Sequence, residues 1–590
     1  MAVPKKWYQF LQWLRVHFST RQKINMLAVV VGLASGIAAV ILKNLVHIIA
    51  YWLQNLNGLL NLNYLYLIYP IIGIFLALMF MKYVIKKPSG HGVPGILFAL
   101  SQKKGNIEKH NMFSSIITSS LTVGFGGSVG LEGPIVSTGA ALGSNIGKAF
   151  HLSYRQIRLM IGCASAGAVA SIFNAPIAGI IFSLEILMLD LTMYALIPLL
   201  ISSVSAILTS YLIIGNDALY PLAVTSGFSI GHIPFYIELG VLCGFVSAYF
   251  SLVYKKMSRI FDKMSMYKRL LIGGGILGLL IFLFPSLYGE GYKEVNLCLA
   301  NDISHIFSRS IFAYFSDNTI AIMVILLAII LFKAIATSAT FGAGGVGGIF
   351  APSLFIGAHL GVLFAILINY TGLGNVSVSN FALIGMAGVM SGIMYAPLFA
   401  IFLIAEVSGG YALILPLMIA SASSYLMVVY FSPNSVYTSQ LAEQSLLLTH
   451  DKDKSTQRLM KIDSLIEKNF TTVTPDMTLG ELIKTITNSK RNIFPVIDKN
   501  EFKGIVFLDD VRHLILNQEL YDIVTVSDVM YMPSPIVKIT DNMESVVKKF
   551  QNSSHYNLPV LDEKGKYIGF VSRANTFSTY QKLLSDISEE

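Results

Sequence analysis

The sequence predicts a polytopic α-helical membrane body with an internal duplication, followed by a soluble α+β tail. Three observations carry that expectation: an apolar composition sustained over most of the chain, glycine- and proline-interrupted segments that recur in the same order, and an abrupt change of composition near Phe431. Of 590 residues, 54% are hydrophobic and 13% charged, and the mean hydropathy is +0.65. A soluble domain rarely sustains that balance over such a length. Uncharged runs such as Met26 to Leu42, Ala195 to Leu212, Leu271 to Phe284 and Ile320 to Phe332 approach or reach the roughly 20 residues that cross a hydrocarbon core of about 30 Å. Several fall short, which predicts tilted or broken helices.

Residues 1–24 form a basic segment with Lys5, Lys6, Arg15, Arg21 and Lys23 and no acid. The positive-inside rule places such a segment on the cytoplasmic side of an inner or plasma membrane; an amphipathic anchor is the alternative. A cleaved signal peptide fits less well, because the first apolar run begins near Met26 and continues as a full span without a clear small-residue cleavage site. The pI of about 9.1 then follows from topology and does not point to nucleic acid. Cys163, Cys243 and Cys298 are odd in number, lie in apolar context and have no CxxC spacing, so neither a disulfide framework nor a metal site is expected. The absence of a P-loop, a metal-ligand cluster and a nucleophile–base pairing argues against an enzyme.

The body, taken as residues 25–432, repeats itself. "FGGSVGLEGPIVSTGAALG" from Phe125 aligns with "FGAGGVGGIFAPSLFIGAHLG" from Phe341, so that Gly130, Pro134, Gly139 and Gly143 fall on Gly348, Pro352, Gly357 and Gly361 at one offset of 218. A second pair follows, "NAPIAGIIFSLE" ending at Glu185 and "YAPLFAIFLIAE" ending at Glu406. Duplicated halves with interrupted hydrophobic segments point to a transport site at the repeat interface. The halves are inverted if an odd number of spans separates them.

Behind a linker at 433–461, the tail repeats as well. "FPVIDKNEFKGIVFLDDVR" from Phe494 corresponds to "LPVLDEKGKYIGFVSRANT" from Leu558, each reading as strand, polar turn, strand and helix start. The stretches "TLGELIKTI" and "NMESVVKKF" ahead of them are helical, with Thr or Asp as capping candidates. Two small α+β modules, 462–522 and 523–590, are expected side by side.

In lipid, non-helical backbone is tolerated only where protein buries it or where it lines a polar cavity. A glycine-rich turn that leads into a helix exposes N–H donors at the positive end of the helix dipole, a site for an anion. "GGSVGLEGP", "GGVGGIFAP" and "KKPSGHGVPG" from Lys86 all have this build, and their helix N-termini could converge on one pocket. Such a pocket solvates an anion with neutral dipoles and without a lysine that would hold it too tightly. Glu132 stands within the first of these segments. A carboxylate there competes with the anion until protonation removes its charge, which makes Glu132 a candidate gate or proton acceptor. Capping its own helix or pairing with a neighbouring span is the plainer alternative.

These residues resemble the CLC family of chloride channels and chloride/proton exchangers, many of which carry paired CBS domains. "GLEGP" is similar to the family's GxEGP segment, "GIFAP" to GxFxP, "HGVP" to SGIP, and "SVYTSQL" to the stretch that holds the pore tyrosine. The resemblance implies a homodimer with one pore per subunit, each subunit an inverted repeat of tilted helices in a lipid bilayer, with the CBS pair cytoplasmic. It implies Glu132 as the gate, backbone amides of Gly92, Ile349 and Phe350 at the anion, and the hydroxyl of Tyr437; a belt residue at the membrane interface is the alternative for Tyr437, and packing alone for the Phe350 side chain. Where the family has the SGIP serine this chain has His91, with Ser89 two positions earlier, so either an imidazole N–H serves the anion or His91 turns away. Exchangers of the family typically carry a second glutamate directly after the one that matches Glu185; here Ile186 stands in that place. An isoleucine cannot relay a proton, which tilts the reading from a chloride/proton exchanger toward a chloride channel, with structural pairing the expected role of Glu185 and Glu406. The CBS resemblance implies an adenine nucleotide at the tail, with Asp510 on ribose and Ser572 on phosphate, or else a purely structural dimerisation module. No other cofactor is expected. A regulatory membrane protein whose output is the CBS pair is the more distant alternative.

Overall fold

The computed structural model describes residues 17–60, 63–87, 92–189, 192–215, 228–303, 310, 312, 314, 318–443, 460, 462–499 and 501–588. The chain divides into two compact units, 1–447 and 448–590.

The described residues of the first unit are organised as helices and the turns that join them. Its helices are α1 (Thr20–Leu60), α2 (Tyr69–Met79), α3 (Gly92–Gln102), α4 (Asn111–Gly124), α5 (Glu132–Ala149), α6 (Tyr154–Phe173), α7 (Pro176–Glu185), α8 (Met193–Ile214), α9 (Ile233–Asp262) and α10 (Met266–Leu283). They are followed by α11 (Tyr292–Leu299), α12 (Thr319–Ala343), α13 (Phe350–Thr371), α14 (Val378–Met394), α15 (Pro397–Val407), α16 (Ile414–Phe431) and α17 (Val436–Glu443). Eight helices among the described residues are long and apolar enough to cross a membrane. By contrast α3, α7 and α15 have 11, 10 and 11 residues, which at 1.5 Å per residue reach about half of the hydrocarbon thickness. These are the broken elements that the short apolar runs predict. Two expected boundaries move: α1 begins at Thr20, inside the segment assigned to the basic tail, and α17 occupies the start of the segment assigned to the linker.

The body is an inverted repeat, and its pseudo-twofold relation is written in hydrogen bonds between mates. Gly130 and Gly348 exchange both backbone bonds as an antiparallel bridge, at 2.9 and 2.7 Å. Thr340 accepts from the Ser128 amide at 3.2 Å, and its mate Thr122 accepts from the Val346 amide at 3.1 Å. Farther out, both carboxylate oxygens of Glu185, at the end of α7, accept from the first-turn amides of Leu398 and Phe399 in α15 at 3.3 and 2.7 Å. Glu406, at the end of α15, does the same for Ile177 and Ala178 of α7 at 3.0 and 2.8 Å. The two short helices therefore run antiparallel, each capping the other. This bears out structural pairing for both glutamates. Glu185→Ala is expected to cost about 1–2 kcal/mol, the usual loss of an N-terminal cap, read as a lower unfolding temperature in detergent. The pH profile of transport should not move, and a changed profile would mean that Glu185 carries protons.

The aligned glycines have a packing cause. Gly139 and Gly143 of α5 lie against the Ala164 and Met160 carbonyls of α6, and Gly357 and Gly361 of α13 lie against the Gly385 and Phe381 carbonyls of α14. A Cβ at any of them would run into backbone, so the small-residue face lets each helix pair approach closely, as van der Waals packing in lipid favours. Cys163, Cys243 and Cys298 are buried and unpaired.

The second unit holds β1 (Ile466–Glu467), α18 (Leu479–Asn488), β2 (Ile493–Asp498), β3 (Glu501–Phe507), α19 (Leu508–Ile515), α20 (Val526–Val529), β4 (Val537–Lys538), α21 (Met543–Gln551), β5 (Asn557–Leu561), β6 (Tyr567–Ser572) and α22 (Arg573–Ser588). The strand–turn–strand units form antiparallel pairs β2–β3 and β5–β6 as expected. Across the expected boundary at 522/523 the two modules exchange core residues. Met460, Ile462 and Leu465 pack with Val537, Val546 and Phe550 of the second module, and β1 covers the edge of β6. Val526 in turn packs into the core of the first module with Leu482, Phe494 and Val511. An uncovered β6 edge would invite pairing with another chain, and the neighbour's strand removes that exposure.

Helix α18 is capped by Thr478 through a reciprocal bond with Glu481, whereas α21 is capped by Asn542, not by Asp541. Asp541 instead accepts from the Lys538 amide at 2.9 Å and from Lys549 Nζ at 2.5 Å. Partial burial opposes its ionisation, but these bonds outweigh it and hold the carboxyl below its usual range. A depressed folded value adds stability above the unfolded pKa and loses it as the pH falls through the folded one. Asp541→Asn should therefore lower the unfolding temperature of the tail at pH 7 by a few degrees, with the difference from wild type shrinking as the pH falls through the depressed folded-state pKa of Asp541.

Candidate anion site

Three helices start at one place. Helices α3, α5 and α13 each carry a proline at the third helical position, Pro94, Pro134 and Pro352, where a missing N–H costs no intrahelical bond. The other first-turn amides are left without an intrahelical acceptor and point out of the N-terminus. A Cβ on Gly133 would stand 2.9 Å from the Gly347 carbonyl oxygen and 3.0 Å from the Gly348 Cα, so only glycine permits the approach. Gly92, Pro94, Gly133, Gly348, Ile349 and Tyr437 line the resulting cavity of about 240 Å³. Among the described residues its lining contains no lysine; Arg269 and Asp262 stand among the remaining wall residues.

Tyr437 lies on α17, is 6% exposed and packs on the Phe350 ring at 6.4 Å between centroids. Its hydroxyl faces the Ile349 backbone without a hydrogen-bond partner. That burial does not fit a belt residue at the membrane interface. The Phe350 side chain is fully buried between Phe173, Phe182 and Phe399, so it packs, while its amide belongs to the open first turn of α13. Gly92 begins α3 as expected. His91 and Ser89 lie outside the described residues.

Glu132 is completely buried at the start of α5. Its own amide and that of Ala351 in α13 lean toward the carboxylate, the Tyr292 hydroxyl donates to Oε1, and Oε2 has no hydrogen-bond partner. The carboxylate thus occupies ground between two anion-attracting N-termini. Ile186 is apolar and 5% exposed, and the acid before it is occupied with capping α15.

Two features escaped the sequence reading. Thr122 and Thr340 tie the glycine turns to the opposite repeat, and their identity at the offset of the aligned glycines was the available signal. Tyr292 and Glu290, in "YGEGY", approach Glu132 from a segment with no counterpart at that offset, so the repeat gave no pointer to them.

In the tail, Asp510 is exposed on the first turn of α19. Ser572 is engaged: its hydroxyl donates to Glu467 at 2.7 Å and accepts from the Asn575 amide at 3.1 Å. A phosphate there would meet the Glu467 carboxylate, which disfavours the contact expected of Ser572.

The chain matches the family described as "Voltage gated chloride channel" over residues 72–429 and the CBS domain over 462–517 and 526–576. It is similar to the voltage-gated ClC-type chloride channel ClcB of Citrobacter koseri, 28% identical over 332 residues covering 55% of this chain and 75% of that protein. It is also similar to the H(+)/Cl(-) exchange transporter ClcA of Klebsiella pneumoniae, 26% identical over 438 residues covering 71% and 88% of the two chains. A solved structure of a eukaryotic CLC transporter matches with a TM-score of 0.61 at 19% identity, over 94% of this chain and 98% of that one; at that identity the likeness establishes the fold alone.

Proposed function

This chain belongs to the voltage gated chloride channel family, and on that premise we propose that it is a gated anion channel, chloride first, in which Glu132 closes the path when ionised and opens it when protonated. The family's members are anion channels and exchangers, not enzymes. The observation that carries the gate is the Glu132 carboxylate buried between the N-termini of α5 and α13, in ground that the helix dipoles make attractive to a free anion. The anion's path runs past the amides of Ile349 and Phe350 and the hydroxyl of Tyr437. Passive conduction is favoured over exchange by Ile186, which leaves no acid at that inner position.

Two copies pair as a homodimer on this reading, with Ile177 and Leu398 of the short helices exposed at the surface available to a partner. The basic amino-terminal segment and the tail face the cytoplasm by the charge rule. For the tail, adenine nucleotide is the ligand that the CBS match suggests, with Asp510 as the ribose contact. The test is reconstitution: liposomes holding a chloride gradient should discharge it only when a potassium ionophore carries the counter-charge. A gradient that persists with the ionophore present would count against anion conduction.

A further inference from the structure

The segment Tyr288–Tyr292 is fastened to the body on both sides. The Tyr288 hydroxyl donates to the Gly124 carbonyl at the end of α4, at 2.7 Å. The fully buried ammonium of Lys333, in α12, donates to the Gly289 carbonyl at 3.2 Å and lies 4.6 Å from the centre of the Phe355 ring. Gly291 abuts that same ring: a Cβ there would stand 2.5 Å from it. Gly289 and Gly291 have φ of 62° and 85°, a region glycine enters without strain, and the turn they make aims Glu290 and Tyr292 at the gate. Tyr292 donates to Glu132 Oε1, and Glu290 takes a backbone bond from Leu131, the residue before the gate. Glu132 is fully buried, while Glu290, Tyr292 and Lys43 are only partly so.

We propose that Tyr292 is the latch of the gate, its hydroxyl holding the Glu132 carboxylate in the closing position until the gate takes up a proton. This rests on the reading of Glu132 as gate. The charged and titratable groups that bear on Glu132 are Tyr292 from α11, Lys43 from α1, Glu290 from the turn and Tyr437 from α17; α13 contributes the Ala351 amide, and Lys333 of α12 acts on Glu290. A phenol bonds a carboxylate more strongly than a carboxylic acid. The bond therefore favours the closed, ionised state and weakens when the gate takes up a proton.

The experiment is chloride flux from liposomes as a function of pH. Tyr292→Phe keeps the ring and removes the donor, so the midpoint of the flux profile should rise by about one pH unit, with the maximal flux at low pH retained. Gly291→Ala crowds the turn against the Phe355 ring, draws Tyr292 away from Glu132 and should move the midpoint the same way. In a Glu132→Gln background neither substitution should move the profile. If Glu132→Gln flattens the profile but Tyr292→Phe superimposes on wild type, the gate stands and the latch is overturned. A Tyr292→Phe shift that persists in the Glu132→Gln background also overturns the latch, because the effect then bypasses the gate. A Glu132→Gln profile that still titrates as wild type removes the gate and the latch together. Should Tyr292→Phe fail to fold, Gly291→Ala carries the test, and an unmoved midpoint overturns the proposal.

Discussion

With Glu132→Gln, chloride flux through the reconstituted protein is expected to lose its dependence on pH. The wild-type flux should rise as the pH falls, because protonation removes the charge that lets the carboxylate compete with chloride for the dipoles of α5 and α13. Glutamine has the size of glutamic acid and carries no charge at any pH, so the variant should conduct at the level that wild type reaches in acid, constant within about twofold from pH 4.5 to 7.5. Replacement by alanine would be less clean, because it also empties a fully buried position. A Glu132→Gln profile identical to wild type would assign the pH response to another group and leave Glu132 as a helix-capping residue.

Gly348→Ala is expected to abolish most transport while leaving the body folded. The added methyl would stand 2.7 Å from the Gly133 amide nitrogen and 3.4 Å from Glu132 Oε2, and the two glycine turns that meet there are locked by a pair of backbone hydrogen bonds. Neither turn can retreat without breaking that bridge. Overpacking of this kind costs about 1–3 kcal/mol, and a barrier increase of that size for an anion passing between these turns lowers the flux roughly tenfold or more. Gly410→Ala is the control, since a Cβ there meets nothing within 4 Å, and its flux should match wild type. Equal flux in the two alanine variants would mean that the anion does not pass between these turns.

Much of this was legible in the sequence, for reasons specific to a membrane. Glycine and proline runs inside apolar helices are costly unless they line a cavity, so "GGSVGLEGP" and "GGVGGIFAP" announced both the repeat and the site. The constant offset carried further than the aligned glycines, since it also relates Thr122 to Thr340, whose roles become clear only when hydroxyls and amides are placed. The position of Glu132 was readable, but not its partners. Tyr292 lies far along the chain, in a short helix whose motif resembles nothing else in the sequence, and only the path of the fold brings it to the gate. What the division of the tail into two modules did not reveal is that apolar residues such as Leu465 and Val526 each complete the other module's core; periodicity within a segment says nothing about which neighbour it will cover. The linker boundary failed for a related reason: "SVYTSQL" is polar enough to read as a loop, yet Val436 and Tyr437 are buried against the body.

The central claim is that the protein is a passive anion path gated by Glu132. It is tested most directly in liposomes under an outward chloride gradient, with chloride efflux and internal pH recorded together and the membrane potential held at zero by an ionophore. The account predicts chloride efflux with no change of internal pH, because Ile186 leaves no acid at the position where exchangers of the family typically carry one. Internal acidification in step with chloride efflux would contradict it: protons would then be reaching Glu132 by another route, and the protein would be a chloride/proton exchanger.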